Sequence, residues 1–268
     1  MLEQAVLISH HTSDKRAISE SFGRAAATYD QHAAFQRQVG HLLLDKMPED
    51  LTGKIILDLG CGTGYFSEIL ATKGAKVVAA DLSEAMLSAT EHRCVGLNVH
   101  CENVDADSLP FSDNSFDFVF SSLALQWCDD LSVPLREIQR VVKPGGKAWF
   151  STLLDGSLIE LKNAWSKVDA YQHVNAFLSS KQVKLALAQA GCSTHHIDSF
   201  PITLRYNSAL ELMRDLKGIG ANYVEGRSVG LVTKSKLKDV DKAYRRLYAH
   251  QGLLPATYQV CLGEISAC

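Results

Sequence analysis

Several kinds of segment are missing from this chain of 268 residues. No run of about 18 apolar residues occurs, the length a membrane-crossing helix needs. The stretch from Met1 to Glu20 carries His10, His11, Asp14, Lys15 and Arg16 where a secretory signal would place an apolar block. A cytoplasmic protein with no membrane partner is therefore expected. The seven cysteines form no CxxC pair, and their spacing suits neither a disulfide framework nor a zinc site; they read as small, reduced thiols. The ten histidines show no metal or triad spacing, so no metal is expected. Internal repeats and low-complexity segments are absent too.

What is present is an ordinary globular composition, 46% hydrophobic and 21% charged, with a net charge of −3. That small figure hides an asymmetry: residues 1–150 sum to −7 and residues 151–268 to +4. Between Arg227 and Arg246 lie Arg227, Lys234, Lys236, Lys238, Lys242, Arg245 and Arg246 against only Asp239 and Asp241. A solvated helix face is the usual reading of such a run.

From residue 54 short β-branched runs alternate with helical periodicity. Lys54–Leu59, Lys76–Ala80, Leu97–Cys101, Phe116–Ser121 and Lys147–Thr152 read as buried strands. Helices are expected over Thr63–Lys73, over Glu84–His92 with Ser83 as its cap, and over Leu131–Val142 up to the stop signal Lys143-Pro144-Gly145-Gly146. This alternation implies right-handed crossovers and a doubly wound, mostly parallel sheet, an α/β fold. Tyr29–Met47 reads as one amphipathic helix at the domain edge, and His195–Tyr206 and Thr257–Ile265 as two later strands. About 50 residues separate those strands, with helical patterns at Ser208–Leu216 and Thr233–His250, too long for an ordinary connection. The expected division is a leader and closing helix over 1–48, an α/β domain over 49–206 and 255–268, and a helical lid or docking insertion over 207–254.

The strongest motif is Ile56-Leu57-Asp58-Leu59-Gly60-Cys61-Gly62-Thr63-Gly64, at a strand-to-helix junction. Its glycines allow a tight turn and close approach of a ligand to the helix N-terminus. Asp81, 21 residues beyond Gly60, stands where a carboxylate accepts from both hydroxyls of a ribose. A dinucleotide site would want a third glycine at 65, where Tyr65 stands, and Asp58 puts negative charge where a pyrophosphate would sit. The ligand that fits is a nucleoside bearing an ammonium group and no phosphate, such as S-adenosylmethionine.

The runs ILDLGCGTGYFSEIL, AADLSEAML, NVDADSLPF, FDFVFSSLALQW and VVKPGGKAWFST resemble the class I S-adenosylmethionine-dependent methyltransferases over residues 54–152. The resemblance implies a Rossmann-like seven-stranded sheet, with Asp105 and Ala106 at the adenine, Ser121 beside the methionine portion and Met86 under the adenine ring, unless Met86 is plain core. The flanking segments SFGRAAATYD with QRQ, LALQWC, and LKGIGA with Gly226-Arg227 are similar to the malonyl-[acyl-carrier protein] O-methyltransferase family of biotin biosynthesis. The likeness spans roughly residues 20–265. A quinone-type C- or O-methyltransferase acting on a small molecule shares the core and stands as the alternative.

That family methylates the free carboxylate of a malonyl thioester on acyl carrier protein, or on coenzyme A. A carboxylate is already ionised near pH 7, so no general base is required. What must be supplied is a grip on the carboxylate, for which Lys217 and Arg227 are the candidates, and a wall closing over the donor, for which Tyr29 and Gln36 are. Lys217 reads equally as a solvated helix end, Arg227 as a docking residue and Tyr29 as a hydrophobic staple. Trp127 lines the thioester channel or belongs to the core. The run Lys234, Lys236, Lys238, Lys242, Arg245 and Arg246 then finds a partner in an acidic carrier protein. Nucleic acid is disfavoured by the net negative charge and by the lack of base-modifying motifs.

Overall fold

The computed structural model describes residues 14–221, 223–224 and 233–267. In chain order these form α1 (Lys15–Ala25), α2 (Tyr29–His32), α3 (Ala34–Leu44), β1 (Ile55–Leu59), α4 (Tyr65–Thr72), β2 (Lys76–Asp81), α5 (Glu84–Arg93), β3 (Val99–Asn103) and β4 (Phe116–Ser122). A 3-10 turn over Leu125–Trp127 follows. Then come α6 (Ser132–Val141), β5 (Val142–Leu154), α7 (Ile159–Trp165), α8 (Ser180–Gln189), β6 (His195–Tyr206), α9 (Ala209–Gly218), α10 (Lys234–Tyr248) and β7 (Leu254–Ser266).

The strands form one seven-stranded sheet in the order β3-β2-β1-β4-β5-β7-β6. Only β7 runs against its neighbours, pairing antiparallel with β5 and β6. Because strand side chains alternate, consecutive residues feed opposite faces. Ile56, Phe120 and Trp149 enter one core with Leu43, Leu161 and Tyr244. Leu57, Val119 and Phe150 enter the other with Leu135, Ile138 and Leu187. Each such apolar side chain contributes about 1.5–3 kcal/mol on burial. Strand order reverses between β2-β1 and β4, and ligands of open α/β sheets bind outside the carboxyl ends at such a switch point. The insertion shares the first core, Ala209, Leu212, Val240 and Tyr244 being buried there.

Four sequence expectations are corrected. The helix expected over Tyr29–Met47 is broken at Ala33 (φ −90°, ψ 25°). Its first turn is pulled into place by partners distant in sequence: Thr63 Oγ1 donates to Asp30 Oδ1 at 2.8 Å, and His32 Nδ1 lies 2.7 Å from Asp215 Oδ1. Ser83 occupies the N-cap position of α5, but its hydroxyl makes no cap bond; its backbone N–H donates to Asp81 instead. The third strand sits two residues later than expected, at Val99–Asn103. Lys143-Pro144-Gly145-Gly146 does end α6, yet it lies within β5, where the pairing register with β4 shifts. Three helices escaped the sequence reading, α1, α7 and α8, although α8 carries a capping box of Ser179 and Gln182.

Candidate active site

The floor of the site is built by the loops after β1 to β4. Gly60 and Gly62 adopt left-handed φ values of +77° and +58°. A Cβ at Gly60 would lie 2.3 Å from Ala124 Cβ, whereas one at Gly62 would meet nothing within 4 Å. The first glycine is needed for packing, and the second faces open space. Asp81 Oδ2 accepts from Gly62 N–H and Oδ1 from Ser83 N–H, both at 2.9 Å, so this carboxylate fixes the loop. Burial pushes the Asp81 carboxyl up, and these backbone bonds oppose it. Each oxygen retains a lone pair for a further donor.

Gly60, Gly62, Asp81, Met86, Asp105 and Ala106 line a chamber of about 120 Å³ over this floor. Asp58, Gly64 and Ser121 do not line it. Asp58 is 2% exposed beneath the loop and accepts from Ser67 Oγ at 2.6 Å. Burial, with Asp81 nearby, pushes its carboxyl up to about 7 against that bond. Gly64 packs on Thr90. Ser121 is fully buried and donates to the Leu59 carbonyl at 2.9 Å; it is Ser122, turned to the other face, that reaches the chamber.

A second chamber of about 790 Å³ adjoins the first, sharing Phe22, Tyr29, Leu123, Trp127 and Cys128 with it. Tyr29 therefore stands at the junction. Burial, with Asp81 and Asp30 close by, pushes its phenol up, so it stays a neutral O–H donor near pH 7. Trp127 meets Phe22 of α1 edge to face at 5.2 Å, closing the same junction. Gln36 lines the larger chamber, and its buried Oε1 has no partner. Gln126 Oε1 is in the same state while its Nε2 donates to the Leu123 carbonyl, which fixes the amide's orientation.

The N-terminal helices cover both chambers and are clasped to the insertion. Ser21 Oγ donates to the Gly220 carbonyl at 3.0 Å and Thr28 Oγ1 to the Gly218 carbonyl at 3.2 Å. A Cβ at Gly220 would come within 2.9 Å of the Phe22 Cα, so the LKGIGA glycines allow this approach. On the floor side, Lys15 Nζ reaches Asp105 at 2.6 Å and Asp107 at 2.5 Å. Arg93 pairs with Asp30.

Lys217 is not brought into either chamber. Leu216 and Ile219 turn inward to line the larger one, and at about 100° per residue the intervening Lys217 is exposed. Arg227 lies outside the described residues. The basic run divides: Lys234, Lys238, Lys242 and Arg246 are exposed along α10. Lys236, half-buried, instead reaches Asp169 at 2.7 Å, while Arg245 is exposed like the others and bonds Asp241 and the Asn207 carbonyl, and Lys242 lies 3.8 Å from Asp239. Lys15, Asp30, Gln126 and His173 escaped the sequence reading. Lys15 and Asp30 meet partners 33 to 92 positions away, which no local pattern signals.

The strand order, the glycine turn at its switch point and the acids at the end of β2 and after β3 define a class I S-adenosylmethionine-dependent methyltransferase. Residues 57–150 match the methyltransferase domain family, and the fold is similar to that of the YcgJ protein of Bacillus subtilis (TM-score 0.62, 16% identity, 86% of this chain and 98% of that one). The chain belongs to the malonyl-[acyl-carrier protein] O-methyltransferase family. It is 41% identical to the Serratia marcescens member over 96% of this chain and 98% of that protein. It is also 42% identical to a bifunctional biotin biosynthesis protein of Cellvibrio japonicus over 92% of its own length, spanning 49% of that longer protein.

Proposed function

We propose that the chain transfers a methyl group from S-adenosylmethionine to the free carboxylate of a malonyl thioester on acyl carrier protein. The product is the malonyl methyl ester that primes pimeloyl synthesis for biotin. Beyond family membership, the observation that carries this reading is the pair of joined chambers. One is small and floored by acceptors suited to ribose and adenine; the other is several times larger and mostly apolar, and they meet at Tyr29 and Trp127.

The residues present fit the donor. The space before Gly62 is open, Asp81 keeps lone pairs for the ribose hydroxyls, and Asp105 faces the small chamber with Met86 and Ala106 beside it. S-adenosylmethionine supplies an electrophilic methyl and its own leaving group. The acceptor carboxylate is ionised near pH 7, so the protein contributes orientation and exclusion of water rather than a base. Tyr29, Trp127 and Phe22 form the wall that separates the junction from solvent, and α1 holds the wall down through Lys15. The exposed cations of α10, Lys234, Lys238, Lys242 and Arg246, are the surface suited to an acidic carrier. The described cysteines are all free thiols, which fits a cytoplasmic enzyme.

The deciding experiment supplies labelled S-adenosylmethionine with malonyl-carrier protein, malonyl-coenzyme A or a quinol precursor. Base-labile label on the malonyl thioesters is expected. Base-stable label on the quinol precursor, with none on the thioesters, would refute the assignment.

A further inference from the structure

Among the described residues lining the larger chamber there is no lysine or arginine, and His173 is the one basic side chain. Its surroundings are those of a held ring. Nε2 lies 2.8 Å from Asp169 Oδ1, and the imidazole stacks on Trp165 with ring centroids 3.6 Å apart and planes 11° from parallel. The His173 and Asp169 side chains are 7% and 10% exposed. Asp169 is anchored in turn: Oδ2 accepts from Lys236 Nζ at 2.7 Å and Oδ1 from the Tyr171 N–H at 3.1 Å. Lys236 also lies 5.4 Å from the Tyr171 ring centre. Although burial works against it, the bonds from Lys236 and His173 hold the Asp169 carboxyl at about 2. An ionised carboxylate only accepts, so Nε2 carries the hydrogen and Nδ1 is left as the ring's second polar atom.

We propose that His173 is the group in the acceptor chamber that receives the substrate's free carboxylate, positioned by Asp169 and Lys236. The inference rests on the malonyl-thioester reading above and deepens it. An imidazolium offers an N–H from each nitrogen, one to Asp169 and one to a carboxylate oxygen, leaving the other oxygen of the substrate free to attack. Lys236 offsets the charge of Asp169, so the pair leaves no net negative charge behind the ring, and Asp129 is the one acidic side chain among the described residues lining the same chamber. The methyl ester formed by the reaction has lost that charge, and the same site releases it. Lys236 is by this argument a positioning residue and not part of a carrier-docking surface.

The test compares the acid with its own ester. Binding of malonyl-coenzyme A and of malonyl-coenzyme A methyl ester is measured by competition, together with KM for malonyl-carrier protein and the affinity for S-adenosylhomocysteine. In wild type the acid binds more tightly than the ester by roughly tenfold or more, the worth of one charge-assisted hydrogen bond. His173→Gln is expected to bring that ratio close to one, mostly by weakening the acid, with S-adenosylhomocysteine affinity unchanged. Lys236→Met, at a residue that does not itself line the chamber, is expected to lower the ratio part of the way and serves if the first variant folds poorly. A merely structural ring would weaken acid and ester together. Retention of the wild-type ratio in both variants would overturn the assignment of His173 while leaving the methyltransferase reading intact. Failure of wild type to methylate any malonyl thioester would overturn both.

Discussion

Asp58→Asn is the substitution whose effect the structure defines most fully. The carboxyl is 2% exposed, receives one hydrogen bond, from Ser67 Oγ, and is pushed by burial from 3.8 to about 7. Between those values the folded protein holds a proton that the unfolded chain has released. The stabilisation this gives is complete below about pH 4 and is lost as pH rises through about 7. Each pH unit inside the window weighs about 1.4 kcal/mol, so from about pH 5 to about pH 8 the wild type loses roughly 2–4 kcal/mol through this one group. Asparagine keeps an oxygen for Ser67 and carries no charge, so the variant is spared that loss. Urea or thermal unfolding of both proteins across this range is the assay. Titrating groups that do not interact with Asp58 contribute to both curves and cancel in the difference, while Asp81, whose charge helps push Asp58 up, leaves a smaller residual. The variant gains on wild type as pH rises, by about 4–16 °C in Tm over the range at roughly 2–4 °C per kcal/mol. Parallel curves would refute the reasoning.

Gly220→Ala puts a Cβ within about 3 Å of the Phe22 and Ser21 backbone at φ +78°. It should cost roughly 1–3 kcal/mol and expose α1 to proteolysis, whereas Gly96→Ala, left-handed with open space around it, should show only the backbone strain. Equal proteolysis rates in the two variants would argue against the clasp. Tyr29→Ala opens the junction of the chambers and is expected to lower kcat by about tenfold or more, with Tyr29→Phe milder because the wall survives; full turnover in both removes Tyr29 from the site. Reversing Lys234, Lys238, Lys242 and Arg246 together to Glu should raise KM for malonyl-carrier protein by roughly tenfold, steeply salt-dependent, and leave malonyl-coenzyme A unaffected. An equal loss on both substrates would count against docking at α10.

The floor of the smaller chamber was legible because its signals are local. A glycine pattern between a strand and a helix, and an acid at the end of the next strand, are separated only by the span of one crossover, so their spacing fixes their geometry. Ser121 shows the limit: adjacent residues of a strand face opposite ways, and a shift of one position decided that Ser122 and not Ser121 meets the chamber. Lys217 shows it for a helix, where one position is about 100° of rotation. The basic run read as a single patch, yet Lys236 turns to Asp169 on another segment, while Lys242 and Arg245 stay exposed and pair within α10 with Asp239 and Asp241.

By itself, then, the sequence determined the doubly wound sheet and the nucleoside-binding turn, because each rests on periodicities and spacings a few residues to one crossover long, while the family was carried by the resemblance of its motif runs. Only the tertiary structure decided what lines the larger chamber. The N-terminal helices reach Asp105 and Gly220 across 90 and 199 positions, and His173 comes to the chamber wall held between Trp165 and an Asp169 that Lys236 supports. Such contacts join segments remote in the chain, and their partners exist only once the chain has packed.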